Sequence, residues 1–346
     1  MEISMTFSLK TPPLLKRGDI VAAVSPSWGG PSVYPRRYEA GKKQFEETFG
    51  LKVIEMPHTL SSAEELDNNP KARAEDINAA VKNKDVKAII TTIGGDDSVR
   101  LLPYLDYRAI SENPKFFIGY SDPTALHFAF LKAGVSSVYG PAFLTTFAEN
   151  GGIFDYVRDS LNKVLFTGKI SGEIAPSKEW TNDFLEWANP KNQQKKRKRI
   201  KNDGYRFIQG TTPVQGRLIG GCLEVLEMIK ATPVWPDKKV WKDCILFLDL
   251  SEEAPTPTYI IRCLRNYAAA GILKRLKGIL VGRPCNVPIE DFDKYDAAFT
   301  RAVHEEAGLD IPIVTRMDFG HTDPICCLPY GALAQIDPVH KTFSLI

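Results

Sequence analysis

The feature that most constrains the fold is an alternation running through the first 140 residues: a short apolar run, a turn rich in Gly or Pro, then a stretch with helical spacing. RGDIVAAVSPSWGG (Arg17–Gly30) carries an apolar strand into a Ser/Pro/Gly loop, Tyr38–Phe49 has helical periodicity, and LKVIEMP (Leu51–Pro57) returns as a strand. Ala63–Val81 reads as a helix with a polar face, VKAIITTIGGDD (Val86–Asp97) as a buried strand, and Phe116–Ile118 as another. Strand and helix units of this length imply a parallel sheet covered on both faces. In such sheets ligands gather beyond the carboxyl ends of the strands.

At 346 residues the chain exceeds the usual size of one domain, so two domains sharing a cleft are expected. An N-terminal α/β domain is expected over 1–168, a linker with a Trp-bearing basic loop over 169–210, and a second α/β domain over 211–346. The second half opens with a strand and Gly-Gly turn feeding a helix (Thr212–Asp237). It continues with strand Cys244–Leu250, the loop SEEAPTPT, helix Tyr259–Leu276, strand Lys277–Pro284, helix Tyr295–Gly308 and strand Ile311–Met317.

With 43% hydrophobic residues, 25% charged residues and a formal net charge of +2, the chain has an ordinary globular composition and no global field for nucleic acid or a membrane surface. No run approaches the length that spans a bilayer, and the start lacks a long apolar core behind a basic residue, so a cytoplasmic location is expected. The six cysteines contain no C-x-x-C pair and several lie in apolar runs, which reads as buried free thiols.

Ser121 follows the apolar run Phe116–Ile118 and precedes Pro123 and a helical stretch, Ala125–Ala133. At such a corner a serine projects from the sheet edge beside free helix N–H groups, as a nucleophile requires. The same position suits a helix cap, so the residues alone leave both readings open. Gly94-Gly95 ends the neighbouring strand and could supply one half of an oxyanion hole, with the N–H of Asp122 as the other; a plain tight turn fits equally. His321 lies in a Gly/Asp/Pro turn after a strand. Ser177–Phe207 is polar, holds Trp180 and Trp187, and contains Lys195-Lys196-Arg197-Lys198-Arg199, which reads as a solvated loop tip rather than a nucleic-acid patch. Two indoles in a polar loop either anchor it or cover something flat.

In order, Gly-Gly-Asp-Asp (94–97), Gly-Tyr-Ser-Asp (119–122), Gly-x-Leu-x-Gly-Gly (216–221), LFLDLSEEAP, and FGHTDP with LPYGALAQID resemble the serine LD-carboxypeptidase family, most closely its microcin C immunity branch. The resemblance implies a Rossmann-like or flavodoxin-like N-terminal domain, a C-terminal swivelling mixed α/β domain, and a homodimer. It also implies a Ser-His-Glu hydrolase that needs neither metal nor cofactor. The family nucleophile falls on Ser121 and its histidine on His321. Where the family has Glu, this chain has Asp249, whose side chain is one methylene shorter. Either the backbone approaches to compensate, or Glu252 or Glu253 serves as the acid; both are also expected among the substrate-binding residues, with Trp180 and Trp187.

The substrate implied is a small peptide or aminoacyl-nucleotide: a processed peptide-nucleotide toxin or an aminoacyl-sulfamoyl adenosine, with an acidic amino acid on the acyl side. Trp180 and Trp187 would stack on its base, giving self-immunity and antibiotic resistance. A murein tetrapeptide cleaved in wall recycling is the alternative within the family, and a binding protein with impaired turnover is the alternative outside catalysis.

Overall fold

The computed structural model describes residues 9–346. A six-stranded sheet has the order Leu328–Pro329, Val138–Tyr139, Phe116–Gly119, Val86–Thr91, Ile20–Val24, Lys52–Glu55. Every neighbouring pair is parallel except the first, in which a strand from the C-terminal half closes one edge. The strands are apolar on both faces because helices cover both. Val21 and Ala23 join the core formed with Phe45, Phe143 and Phe147, while Ala22 and Val24 join the one formed with Ile77 and Leu126. The stretch expected as one helix over 63–81 is two, Ala63–Asn68 and Pro70–Lys82, because Pro70 cannot donate to the preceding turn.

An eight-stranded sheet makes up the second half, in the order Gly172–Glu173, Thr342–Leu345, Leu333–Asp337, Val214–Cys222, Cys244–Asp249, Leu276–Gly282, Ile313–Met317, Arg206–Gln209. Its central strands are parallel and its flanks antiparallel. The segment expected as a linker thus supplies both edge strands of this sheet. Helix Thr124–Lys132 is buried along nearly its whole length, wedged between the sheets against Leu223–Ile229. One continuous apolar core therefore runs from the first sheet into the second.

The basic loop is not a solvated tip throughout. Arg197 inserts against Glu149 and lies 2.7 Å from Asp323, and its Nη1 reaches the carbonyl of Asp183. The loop's root is pinned by Trp180, which pairs as a short hairpin, Glu179–Trp180 with Ile200–Lys201, and is only 4% exposed. Its indole packs 6.1 Å from the Phe292 ring and carries the Arg283 guanidinium 4.6 Å above its face. Arg283 in turn pairs with the buried Asp318 at 2.8 Å.

Trp180→Ala should therefore act on folding. Truncating a buried indole costs about 3–5 kcal/mol, which urea unfolding at unchanged slope will read. A loss below about 1 kcal/mol would show that the loop does not depend on this anchor.

Candidate active site

Ser121 stands at the carboxyl end of strand Phe116–Gly119 with φ +66°, a left-handed conformation that a non-glycine residue adopts only where its surroundings force it. Its N–H donates to the Tyr139 hydroxyl at 3.0 Å. Its hydroxyl caps no helix N–H among the described residues, and the helix start is closed by backbone bonds, Thr124 N–H to the Ser121 carbonyl and Ala125 N–H to that of Asp122. The side chain is therefore free for chemistry rather than spent on capping.

The Gly94-Gly95 turn lies directly against it. A Cβ on Gly94 would stand 3.2 Å from the Ser121 Oγ, and one on Gly95, where φ is +151°, would stand 2.1 Å from the Ser27 Oγ. Only glycine brings this backbone so close. The N–H groups of Gly95 and Asp122 have no acceptor among the described residues. The Asp122 carboxylate points elsewhere, accepting the Ser98 N–H at 2.8 Å, and burial raises its pKa.

Asp249 ends strand Cys244–Asp249 and is fully buried. Its oxygens lie 3.1 and 2.9 Å from the His321 Nδ1, and Oδ2 also accepts the Tyr139 hydroxyl at 2.6 Å. The shorter acid is accommodated by close backbone approach at Gly320, φ +94°, where a Cβ would stand 1.8 Å from Oδ1. Glu252, the other candidate acid, approaches the opposite nitrogen: its Oε2 is 3.0 Å from Nε2. Burial alone would depress the histidine, but the charges and hydrogen bonds of Asp249 and Glu252 outweigh it and hold the imidazolium up to about 10. The hydrogen bond from His321 holds Glu252 down to about 2.

Ser121, His321 and Glu252 open into a cleft of about 650 Å³ between the two sheets, also lined by Gly95, Tyr120, Glu253, Trp28 and Trp187, with Asp249 buried behind the histidine. Trp187 carries the Arg37 guanidinium 4.4 Å over its ring and meets Tyr34 edge-on at 5.4 Å. Trp180, expected beside it as a substrate platform, does not line this cleft: Arg283 and Phe292 already occupy its surroundings. Cys285 also lines the cleft, but burial pushes its thiol up to about 12, so it is no thiolate at neutral pH. A second cavity of about 740 Å³, lined by Tyr156, Lys163 and Arg199, contains neither Ser121 nor His321. Among the described residues no group of His, Cys, Asp and Glu is arranged to hold a metal ion.

Tyr139, Arg37 and Trp28 escaped the sequence reading. Tyr139 sits in a two-residue strand with no detectable period, and its partner Asp249 lies 110 positions away.

Residues 21–140 match the LD-carboxypeptidase N-terminal domain and residues 215–336 the LD-carboxypeptidase C-terminal domain. The chain is 30% identical to the microcin C7 self-immunity protein MccF of Escherichia coli, over 95% of this chain and 93% of that one. A MccF-like protein from Streptococcus pneumoniae in complex with AMP superposes with a TM-score of 0.86 at 29% identity, covering 95% of this chain and 99% of the other. MccF in complex with aspartyl sulfamoyl adenosine gives 0.82 at 28% identity, covering 96% and 97%. With both domains matched, the chain belongs to the LD-carboxypeptidase family.

Proposed function

We propose that the chain is a serine hydrolase that cleaves the amide between an aminoacyl group and a nucleotide-like moiety, detoxifying aminoacyl-nucleotide inhibitors. The observation that carries this reading is that one cleft holds Ser121 and His321, the latter backed by the buried Asp249, together with an indole, Trp187, that carries a guanidinium over its ring. The indole offers a stacking face for a base, and the Arg37 guanidinium an electrostatic partner for a phosphate or sulfamate. The AMP and aminoacyl-sulfamoyl adenosine bound by its relatives have this combination of groups.

In this mechanism Ser121 Oγ attacks the acyl carbonyl as His321 Nε2 takes its proton, then returns it to the leaving nitrogen. Asp249 holds the Nδ1 proton and so the tautomer. The N–H groups of Gly95 and Asp122 receive the oxyanion, and a water activated by the same histidine releases the acid.

Ser121→Ala is expected to reduce hydrolysis of an aminoacyl-sulfamoyl adenosine by ~10⁴–10⁶, with a thermal midpoint near the parent's. Asp249→Asn is expected to cost ~10⁴ in turnover. Ser121→Ala activity within a few-fold of the parent would remove that residue from the mechanism.

The pH profile tests the histidine's surroundings. An imidazolium cannot accept the serine proton, so kcat/KM should rise with pH as the free enzyme's His321 deprotonates. Glu252 stabilises the charged form; removing that charge lowers the pKa. Glu252→Gln should therefore move the rising limb acidward, by about 1–3 pH units. An unmoved limb would show that Glu252 does not bear on His321 in solution.

Trp187→Ala separates the substrates. A base stacked on an aromatic side chain is worth roughly 1–3 kcal/mol, so kcat/KM for an aminoacyl-sulfamoyl adenosine should fall about ten- to a hundred-fold. Cleavage of a murein tetrapeptide, which has no aromatic face, should hardly change. Equal losses on both would make Trp187 a loop anchor.

A further inference from the structure

The cleft is charged unevenly. Around Ser121 and His321 it is lined by Asp96, Glu252 and Glu253, and neither Asp96 nor Glu253 has a cationic partner among the described residues. Its two arginines do not neutralise that end. Arg197 is spent on Glu149 and Asp323, and Arg37 lies on Trp187, bound to the Leu144 carbonyl and Asn150. An acyl group with a carboxylate would enter against like charges, and one with an ammonium would find partners.

Glu252 adds a mechanical requirement. Its carboxylate occupies the His321 Nε2, the nitrogen that must accept the Ser121 proton, so it has to leave before reaction. Its side chain is 63% exposed and, besides His321, is hydrogen-bonded only to its own backbone N–H among the described residues, so it is free to move to a new partner near the scissile bond.

We propose that Glu252 exchanges His321 for a cationic group on the acyl half of the substrate, and that the enzyme selects aminoacyl groups with neutral or basic side chains over acidic ones. This departs from the acidic acyl group expected from the sequence, and it rests on the aminoacyl-nucleotide reading given above. The free α-ammonium next to the scissile carbonyl is the minimal such cation, and a lysyl or arginyl side chain supplies a second for Glu253 or Asp96.

The test uses the full chain carrying Ser121→Ala, so that ligands are bound and not consumed. Calorimetry with lysyl-, alanyl- and aspartyl-sulfamoyl adenosine, and with AMP, gives four dissociation constants. The lysyl compound should bind at least tenfold more tightly than the aspartyl one, with the alanyl compound between them. Adding Glu252→Gln should shrink that ratio several-fold, and Glu252→Lys should shift it toward the aspartyl compound. Equal binding of all three, or tightest binding of the aspartyl compound, overturns the inference while the nucleotide reading stands. If none of the aminoacyl compounds binds, both fall, whether or not AMP does. The comparison among ligands on the Ser121→Ala protein decides the matter even if a Glu252 variant fails to fold.

Discussion

The structure depends on how one buried carboxylate is satisfied. Asp249 is fully excluded from water, and an ionised carboxylate at such a place costs several kcal/mol unless partners meet its lone pairs. His321 and Tyr139 meet them, the first from a turn beyond the second sheet and the second from a short strand of the first sheet. The Tyr139 hydroxyl also receives the Ser121 N–H, so Asp249 is joined through one oxygen atom to the backbone of Ser121. The bond between Asp249 and Tyr139 is thus a contact between the two matched domains, and in the proposed mechanism it also supports the acid. Anything that parts the sheets leaves a buried charge half-satisfied, which ties the integrity of the site to the packing of helix Thr124–Lys132 between them.

That packing also accounts for the conformation of Ser121. A non-glycine residue at φ +66° carries strain of order 1–3 kcal/mol, which persists only where the surroundings over-determine it. Here the preceding strand is locked by neighbours on both sides, the following helix is buried, and the intervening N–H is held by Tyr139. The side chain is left lining the cleft beside Gly94, and in the proposed mechanism the glycine backbone would meet the developing oxyanion.

How much of this was legible in the sequence follows from the range of the interactions. Ser121, Gly95 and His321 stand in local patterns of apolar runs and turn residues, and the strand ends they occupy follow from those patterns. The strand that ends in Asp249 was legible, but only the family resemblance singled that residue out; the backbone approach that its short side chain demands appears at Gly320. Tyr139 was not legible, because its meaning lies in a partner from another sheet. Nor were the two tryptophans distinguishable: the Trp180 indole is packed by Arg283, itself paired with Asp318, and by Phe292, none of them near it in the chain. The basic run misled for the same reason. Its charge suggested solvation, whereas Arg197 finds two carboxylates, one in each half of the chain.

Those ion pairs hold the loop in place. A polar segment of this length has too little apolar surface to order itself, and surface pairs alone contribute little. Arg197 is different, because its partner Glu149 is buried and removing either charge would strand the other. The loop is therefore held at its root by an indole and farther along by a guanidinium, and Trp187 between them lines the cleft that also holds Ser121 and His321. On the proposed function, a substrate lying along this cleft would have its flat, anionic part at the indole and arginine and its acyl carbonyl at Ser121. The interactions that recognise the leaving group are then remote from the bond that breaks, and their binding energy can be used to orient the carbonyl and displace the carboxylate resting on His321.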